Sequence, residues 1–381
     1  MRAMNTADVI VLGAGMAGAS LAAELAPECR VVLLEVEDQP GMHATGRSAA
    51  MFFESYGNAV IRALTRASRA FLERPPEDFA DVPLLTPRAC LFVADAPRAG
   101  AVDALLADAA AGPALRRWTA SDACALVPIL RPDWVAAAAL DDSGHDIDVA
   151  ALHQGYLRAS RRAGATFAVG ARDVRVERAG AVWRVRSRAG DFEAGVVVNA
   201  AGAWADVVAR GAGVPPVGLE PLRRTAIGLP APAGHDMRAW PLVIDIDEQF
   251  YFKPEGAQLL LSPANEDPSP PCDAVPDELD IALAVDRFER ATTMPVTRIV
   301  HRRAGLRSFV ADRTPVVGFD AEAPGFCWLA GQGGYGIQTA PALARSAAAL
   351  IAGRPLPADV AALGVTVEAL APRRPALASG G

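Results

Sequence analysis

Apolar and polar positions along this chain recur with two different periods, and each change of period marks an element. The first 40 residues read as strand, turn, helix and strand. Val9–Leu12 is a short apolar run, Gly13–Gly18 a glycine turn, Ala19–Ala26 a helix of small residues and Arg30–Glu35 a second strand. Helical spacing returns over 58–73, where Val60, Ile61, Leu64, Ala67, Phe71 and Leu72 share one face before Pro75-Pro76 stops it. The alanine-rich stretch 101–115 predicts a peripheral helix. Asp148 is placed to cap a helix that closes near Gly164. Strand patterns follow at 173–177, 182–187 and 195–199, and 221–261 reads mostly as strand, including 242–246 and 250–253. A proline-rich crossing at 263–276 leads to a helix over 277–292. The last third offers a strand at 326–330, a glycine turn at 331–336 and a helix from 339 to 352, with the final dozen residues as a loose tail.

That order predicts an α/β protein with a discontinuous Rossmann-like domain assembled from 1–50, 141–215 and 301–381. The insertions 51–140 and 216–300 would form a second α+β domain on a mostly antiparallel sheet. A length of 381 residues exceeds one comfortable core, which agrees with two domains. At 51% hydrophobic and 21% charged the composition is globular. A net charge of −7, with arginines scattered rather than gathered on one face, argues against nucleic-acid binding. Five cysteines without a C-x-x-C pair point away from structural zinc and a disulfide framework, so no metal is expected and a reducing cytoplasmic setting fits. No secretory leader precedes Asp8, and no run of about 18 uncharged apolar residues predicts a transmembrane segment. Peripheral attachment to the inner face of a membrane stays open.

Chemistry enters at the first turn. Gly13-Ala14-Gly15-Met16-Ala17-Gly18 fits G-x-G-x-x-G between a strand and a helix. Gly13 permits the tight turn, Gly15 lets backbone approach a pyrophosphate, and Gly18 lets helix and strand pack closely. The helix N-terminus then offers free N–H groups to the phosphates. Glu35 ends the second strand 20 residues after Gly15, where an acid accepts hydrogen bonds from ribose hydroxyls. Glycines alone would be weak evidence; the complete unit is strong. It does not separate NAD from FAD.

The next segment does. Gly41-Met42-His43-Ala44-Thr45-Gly46-Arg47-Ser48-Ala49-Ala50 resembles the loop that lies along FAD in the D-amino acid oxidase and glycine oxidase superfamily. The segments Val196–Trp204 and Gly331–Gln338 agree with it in order. Within that superfamily, PLLTPR (83–88), DIDVAALHQGYLR (146–158), AGLRSFVADR (304–313) and GGYGIQT (333–339) resemble the D-arginine dehydrogenases. The resemblance implies FAD contacts at Ala17, Glu35, Val36, the run Ala44–Ala50, a residue near Val174, Gly202, and Gly333, Gly334, Tyr335, Gly336, Ile337 and Gln338. His43 is a lone histidine, so FAD is expected to be held without a covalent link.

An amino acid substrate needs its carboxylate fixed, and arginine does this with a planar fork. Arg307 and Arg224 match the family's carboxylate clamp, with Arg223 as a solvated neighbour. By the same resemblance Tyr251 donates its phenol to that carboxylate, Tyr56 sits on a lid over the substrate, and the Gly334 carbonyl receives the amine. Two departures shift the expected substrate. Cys90 stands where arginine-selective relatives carry an acid, and Met51, Phe52 and Phe53 replace a more polar stretch. The expectation is therefore oxidative deamination of a neutral or hydrophobic D-amino acid in preference to D-arginine, with Asp245 or Glu248 as compensating acids. No acid or base is assigned. Electrons would pass to a quinone-type acceptor or to oxygen. A sarcosine- or glycine-type oxidase and a module holding FAD without catalysis are the alternatives.

Overall fold

The computed structural model describes residues 4–107 and 115–378. Its nucleotide-binding half is built on a six-stranded sheet in the order 166–168, 31–34, 9–12, 196–199, 326–330, 316–319, parallel except for the last strand. The four central strands are apolar apart from Asn199 because both faces are covered. Val9, Val11, Val31, Leu33 and Leu329 point toward helices 16–25, 149–162 and 340–351. Their neighbours Ile10, Leu12, Val32, Leu34 and Trp328 point the other way, against Val185, Trp183 and Phe192 of a four-stranded sheet in the order 4–6, 190–194, 182–187, 175–179.

The expected cap at Asp148 forms, and Asn58 supplies one that the sequence pattern did not single out. Asp148 accepts from the Ala151 N–H at 2.8 Å, and Asn58 accepts from the Ile61 N–H at 3.0 Å to open helix 59–73. The first helix begins at Met16, three residues before Ala19, because the turn passes directly into it.

The second sheet has nine strands, mostly antiparallel, in the order 267–268, 220–230, 258–262, 251–255, 242–245, 90–94, 137–141, 115–118, with 301–309 paired along 220–230. Strand 301–309, which falls in the third expected nucleotide segment, is thus hydrogen-bonded into this sheet. Helix 278–291 packs behind it through Ile281, Ala284 and Phe288. The short strands 51–52, 145–147 and 85–87 form a small sheet tied to the large one where Lys253 and Arg88 both pair with Asp146.

Three expectations need correction. Residues 51–140 hold strands 85–87, 90–94, 115–118 and 137–141 that the pattern does not predict, only the last of them alanine-rich, and helix 99–107 covers only part of the stretch expected from 101 to 115; positions 108–114 lie outside the described residues. The C-terminal segment is not loose up to residue 378. Arg373 pairs with Asp320 at 2.6 Å, and Arg374 grips Asp312 through two bonds of 2.7 Å. Arg223 is not simply solvated, since it pairs with Asp280 at 3.0 Å.

Candidate active site

One cavity of about 510 Å³ runs from the glycine turn to the large sheet. At its nucleotide end Gly13 adopts φ +99°, and a Cβ there would meet the Ala200 carbonyl oxygen at 2.6 Å. A Cβ on Gly18 would lie 1.9 Å from the Gly13 oxygen, so the helix reaches the turn only because residue 18 is glycine. Helix 16–25 carries no acid in its first turn, which leaves its positive end uncompensated within the helix. The Ala14 N–H donates to Glu35 at 2.8 Å and the Met16 N–H to the Thr45 hydroxyl at 2.9 Å. These bonds fix turn, acid and loop to one another.

Gly13, Gly15, Ala17, Glu35, Val36, Ala44, Thr45, Arg47, Ser48, Ala49, Ala50, Val174 and Gly202 all line this cavity. Gly18 and Gly46 do not line it. Each is a packing glycine, and a Cβ on Gly46 would meet the Gly41 oxygen at 2.6 Å. Arg47 uses its guanidinium to fasten the loop, donating to the carbonyls of Ala274 at 2.8 Å and Ala304 at 3.1 Å and pairing with Asp273. His43 bonds Glu37 at 3.0 Å and packs on Trp204 at 4.7 Å, while its Nδ1 is buried beside the cavity without a partner among the described residues.

The opposite end is set by β register. Arg224 pairs with Gly305, and Gly305 and Arg307 share a face, so strand pairing places both guanidinium groups on one side of the sheet. Tyr251 joins them from strand 251–255. Arg307 has no ion pair among the described residues. Arg224 is 8% exposed, pairs with Glu266 at 3.1 Å, and leaves its Nε buried without a partner among the described residues. Glu266 is itself shared with Arg313 at 2.8 Å. Burial, and then the charge of Arg307, push Arg224 below its ordinary value. For Tyr251 burial acts upward, but Arg307 and Arg224 outweigh it and leave the phenol more acidic than usual. Burial raises the Tyr56 phenol, with Arg307 opposing.

The glycine turn lies directly on this pair. The Gly333 N–H donates to the Ser308 carbonyl at 2.9 Å, and a Cβ on Gly334 would stand 3.0 Å from the Arg307 guanidinium. Gly333, Gly334, Gly336, Ile337 and Gln338 line the cavity, as do Met51, Phe53 and Tyr56. Tyr335 does not; it is buried against Tyr56, with ring centroids 5.0 Å apart, and against Phe309. Cys90 does not either. It is fully buried beneath a cluster of Phe53, Leu242 and Ile244, and burial raises its thiol well above the ordinary value. Of the two acids, Asp245 is fully buried and held by Arg98 at 2.7 Å, whereas Glu248 reaches the cavity and accepts from the Tyr56 hydroxyl at 3.4 Å.

The sequence reading missed Trp204, Leu242, Ile244 and Ser308, which also line the cavity. Leu242 and Ile244 carried a usable signal, because alternate residues of one strand share a face.

This arrangement fits FAD: a glycine turn and bare helix end for a pyrophosphate, Glu35 for a ribose, an orphaned imidazole nitrogen along the wall, and a cavity continuing to the glycine turn at 331–336. Among solved structures the chain is similar to L-proline dehydrogenase from P. horikoshii (20% identity, 93% of this chain and 96% of that chain, TM-score 0.80). It is also similar to glycine oxidase from Geobacillus kaustophilus (20% identity, 96% and 99%, TM-score 0.79). L-α-glycerophosphate oxidase from Mycoplasma pneumoniae with FAD bound shares the fold as well (15% identity, 92% and 95%, TM-score 0.79). Residues 8–350 match the family described as DAO, FAD dependent oxidoreductase. The chain therefore belongs to the DAO family of oxidoreductases, and its cofactor is FAD.

Proposed function

We propose that this protein oxidises the carbon–nitrogen bond of a neutral or hydrophobic D-amino acid. The observation that carries the reading is the Arg224–Arg307 pair. Two guanidinium groups share one sheet face at the end of the cofactor cavity, and Glu266 is the carboxylate paired there, itself divided between Arg224 and Arg313. Such an excess of buried positive charge is stabilised by an anion, and a carboxylate accepts two parallel bonds from one arginine fork. Arg307 would hold the substrate carboxylate, with Arg224 and the Tyr251 phenol completing the clamp. The Gly334 carbonyl would receive the amine.

FAD, when bound, supplies the acceptor for the α-hydrogen, which leaves as hydride. The clamp fixes which hydrogen faces it, and Met51, Phe53, Leu242 and Ile244 keep that end of the site dry while accepting an apolar side chain. Loss of the hydride and of one amine proton turns the substrate into an imino acid, which water converts to a 2-oxo acid and ammonia. No side chain is assigned to carry the amine proton. The D configuration and a quinone-type acceptor in place of oxygen rest on the resemblance to D-arginine dehydrogenases.

The test is turnover with an artificial quinone on D-methionine, D-leucine, D-phenylalanine, D-arginine and their L forms, beside glycine, sarcosine and proline. Preference for the first three supports the proposal. Preference for D-arginine overturns the substrate class. Preference for sarcosine or glycine, with rapid peroxide formation in air, overturns it in favour of an amine oxidase.

A further inference from the structure

Behind the wall that closes the substrate end lies a second cavity of about 440 Å³. Phe53, Tyr56 and Glu248 line both cavities, so two aromatic rings and one carboxylate separate them. The partition is held by ring packing and by hydrogen bonds of Tyr56, which also packs on Tyr335 at 5.0 Å and bonds Arg307, the group a substrate carboxylate would occupy instead. Phe53 and Tyr56 lean together with centroids 5.0 Å apart, and the Tyr56 hydroxyl reaches Glu248 only at 3.4 Å. Glu248 stands exposed on a turn with φ +53°, and Gly57, next to Tyr56, has φ +89°. The outer cavity is faced by Phe92 from the large sheet, by Ile246 in the turn after strand 242–245, and by Ala101 and Leu105 from helix 99–107.

Its two remaining charges already have partners. Asp312 is gripped by Arg374, and Arg313 pairs with Glu266 while lying over the Phe309 ring at 3.8 Å. Nothing inside it demands an ion, and Glu248 is met by solvent. A neutral apolar group is the occupant this lining favours.

We propose that the outer cavity is a side-chain subsite, through which the enzyme accepts amino acids with long aliphatic or arylalkyl side chains. This rests on the reading of the clamp given above. With the carboxylate on Arg307 and Arg224, the side chain runs along Phe53, Leu242 and Ile244 toward Tyr56. A chain longer than the inner wall turns Tyr56 aside and buries its end against Phe92, Leu105 and Ile246. Each methylene so buried strengthens binding by roughly fourfold.

The experiment measures the Kd for anaerobic flavin reduction by the holoenzyme along the series D-alanine, D-norvaline, D-norleucine, D-2-aminooctanoate and D-homophenylalanine. The proposal expects the Kd to keep falling beyond D-norleucine. It also expects Leu105→Trp, which fills the outer cavity, to raise the ratio of the D-homophenylalanine Kd to the D-alanine Kd by about tenfold. Ala101→Phe gives the same comparison from another position should the first variant lose FAD. A Kd that levels off or rises after D-norleucine, or a ratio that neither variant moves, overturns the subsite alone. Failure of every D-amino acid to reduce the flavin overturns the clamp reading, and the subsite falls with it.

Discussion

Arg307→Met tests the clamp most sharply, because it should cost function without costing stability. Arg307 has no ion pair among the described residues and stands beside Arg224, whose charge is already disfavoured by burial and by Arg307 itself. Methionine keeps much of the apolar stem and removes the charge. Two charge-assisted hydrogen bonds to a substrate carboxylate are lost, at about 1.5–3 kcal/mol each. Allowing for what Arg224 and Tyr251 retain, the penalty comes to about 3–5 kcal/mol, or roughly 10²- to 10⁴-fold in kcat/KM. Folding has two opposed terms: Arg224 loses a like-charged neighbour, while Tyr56, Tyr251 and Glu266, which hold Arg307 charged against its burial, lose their partner, so the Tm of the holoenzyme should stay close to the native value. Stopped-flow flavin reduction and a thermal melt on the same preparation measure both. A kcat/KM within tenfold of the native value would refute the clamp. A Tm lowered by several degrees would show that Arg307 is a structural ion and that lost activity says nothing about substrate.

Three further outcomes follow from the same geometry. The Tyr251 phenol ionises below its usual range, and a phenolate there repels a bound carboxylate; affinity for benzoate, read from the flavin spectrum, should be full at neutral pH and fall as pH rises through that lowered value, and Tyr251→Phe should flatten the profile. Gly18→Ala places a methyl 1.9 Å from the Gly13 carbonyl oxygen, so the variant should retain under about a tenth of its flavin; a normal ratio of flavin to protein absorbance would contradict the turn packing. Arg374→Met breaks a pair whose arginine side chain is 5% exposed, and should destabilise the fold by about 3 kcal/mol in a denaturant titration; an unchanged midpoint would mean that the C-terminal segment is not anchored through Asp312.

What the sequence discloses about this site follows the range of the interactions involved. The glycine turn, Glu35 and the Asp148 helix cap are legible because each is settled within a few dozen residues by backbone geometry and local hydrogen bonds. Arg224 and Arg307 are 83 positions apart and meet only through the antiparallel register of strands 220–230 and 301–309, which no local pattern encodes; the family resemblance, not periodicity, singled them out. Cys90 shows the limit of that route. Its position matches a substrate-contacting acid of the relatives, yet a small apolar thiol draws Phe53 and Leu242 over itself and leaves the wall to them. Tyr335 fails similarly, because a glycine run that brings backbone to the cavity turns that side chain away toward Tyr56. The C-terminal segment reads as a tail by composition and is held by two arginines whose acidic partners lie over 50 residues earlier.

The central claim is that flavin lies between the glycine turn at 331–336 and a guanidinium pair that grips a carboxylate. Mixing the purified yellow holoenzyme with D-leucine in the absence of oxygen tests it directly. The account predicts full bleaching of the flavin absorbance by one equivalent of D-leucine, and bleaching slowed by at least a hundredfold at the same low substrate concentration in Arg307→Met. A native protein that stays yellow with every D-amino acid, or a variant that bleaches as fast as the native enzyme, would contradict it.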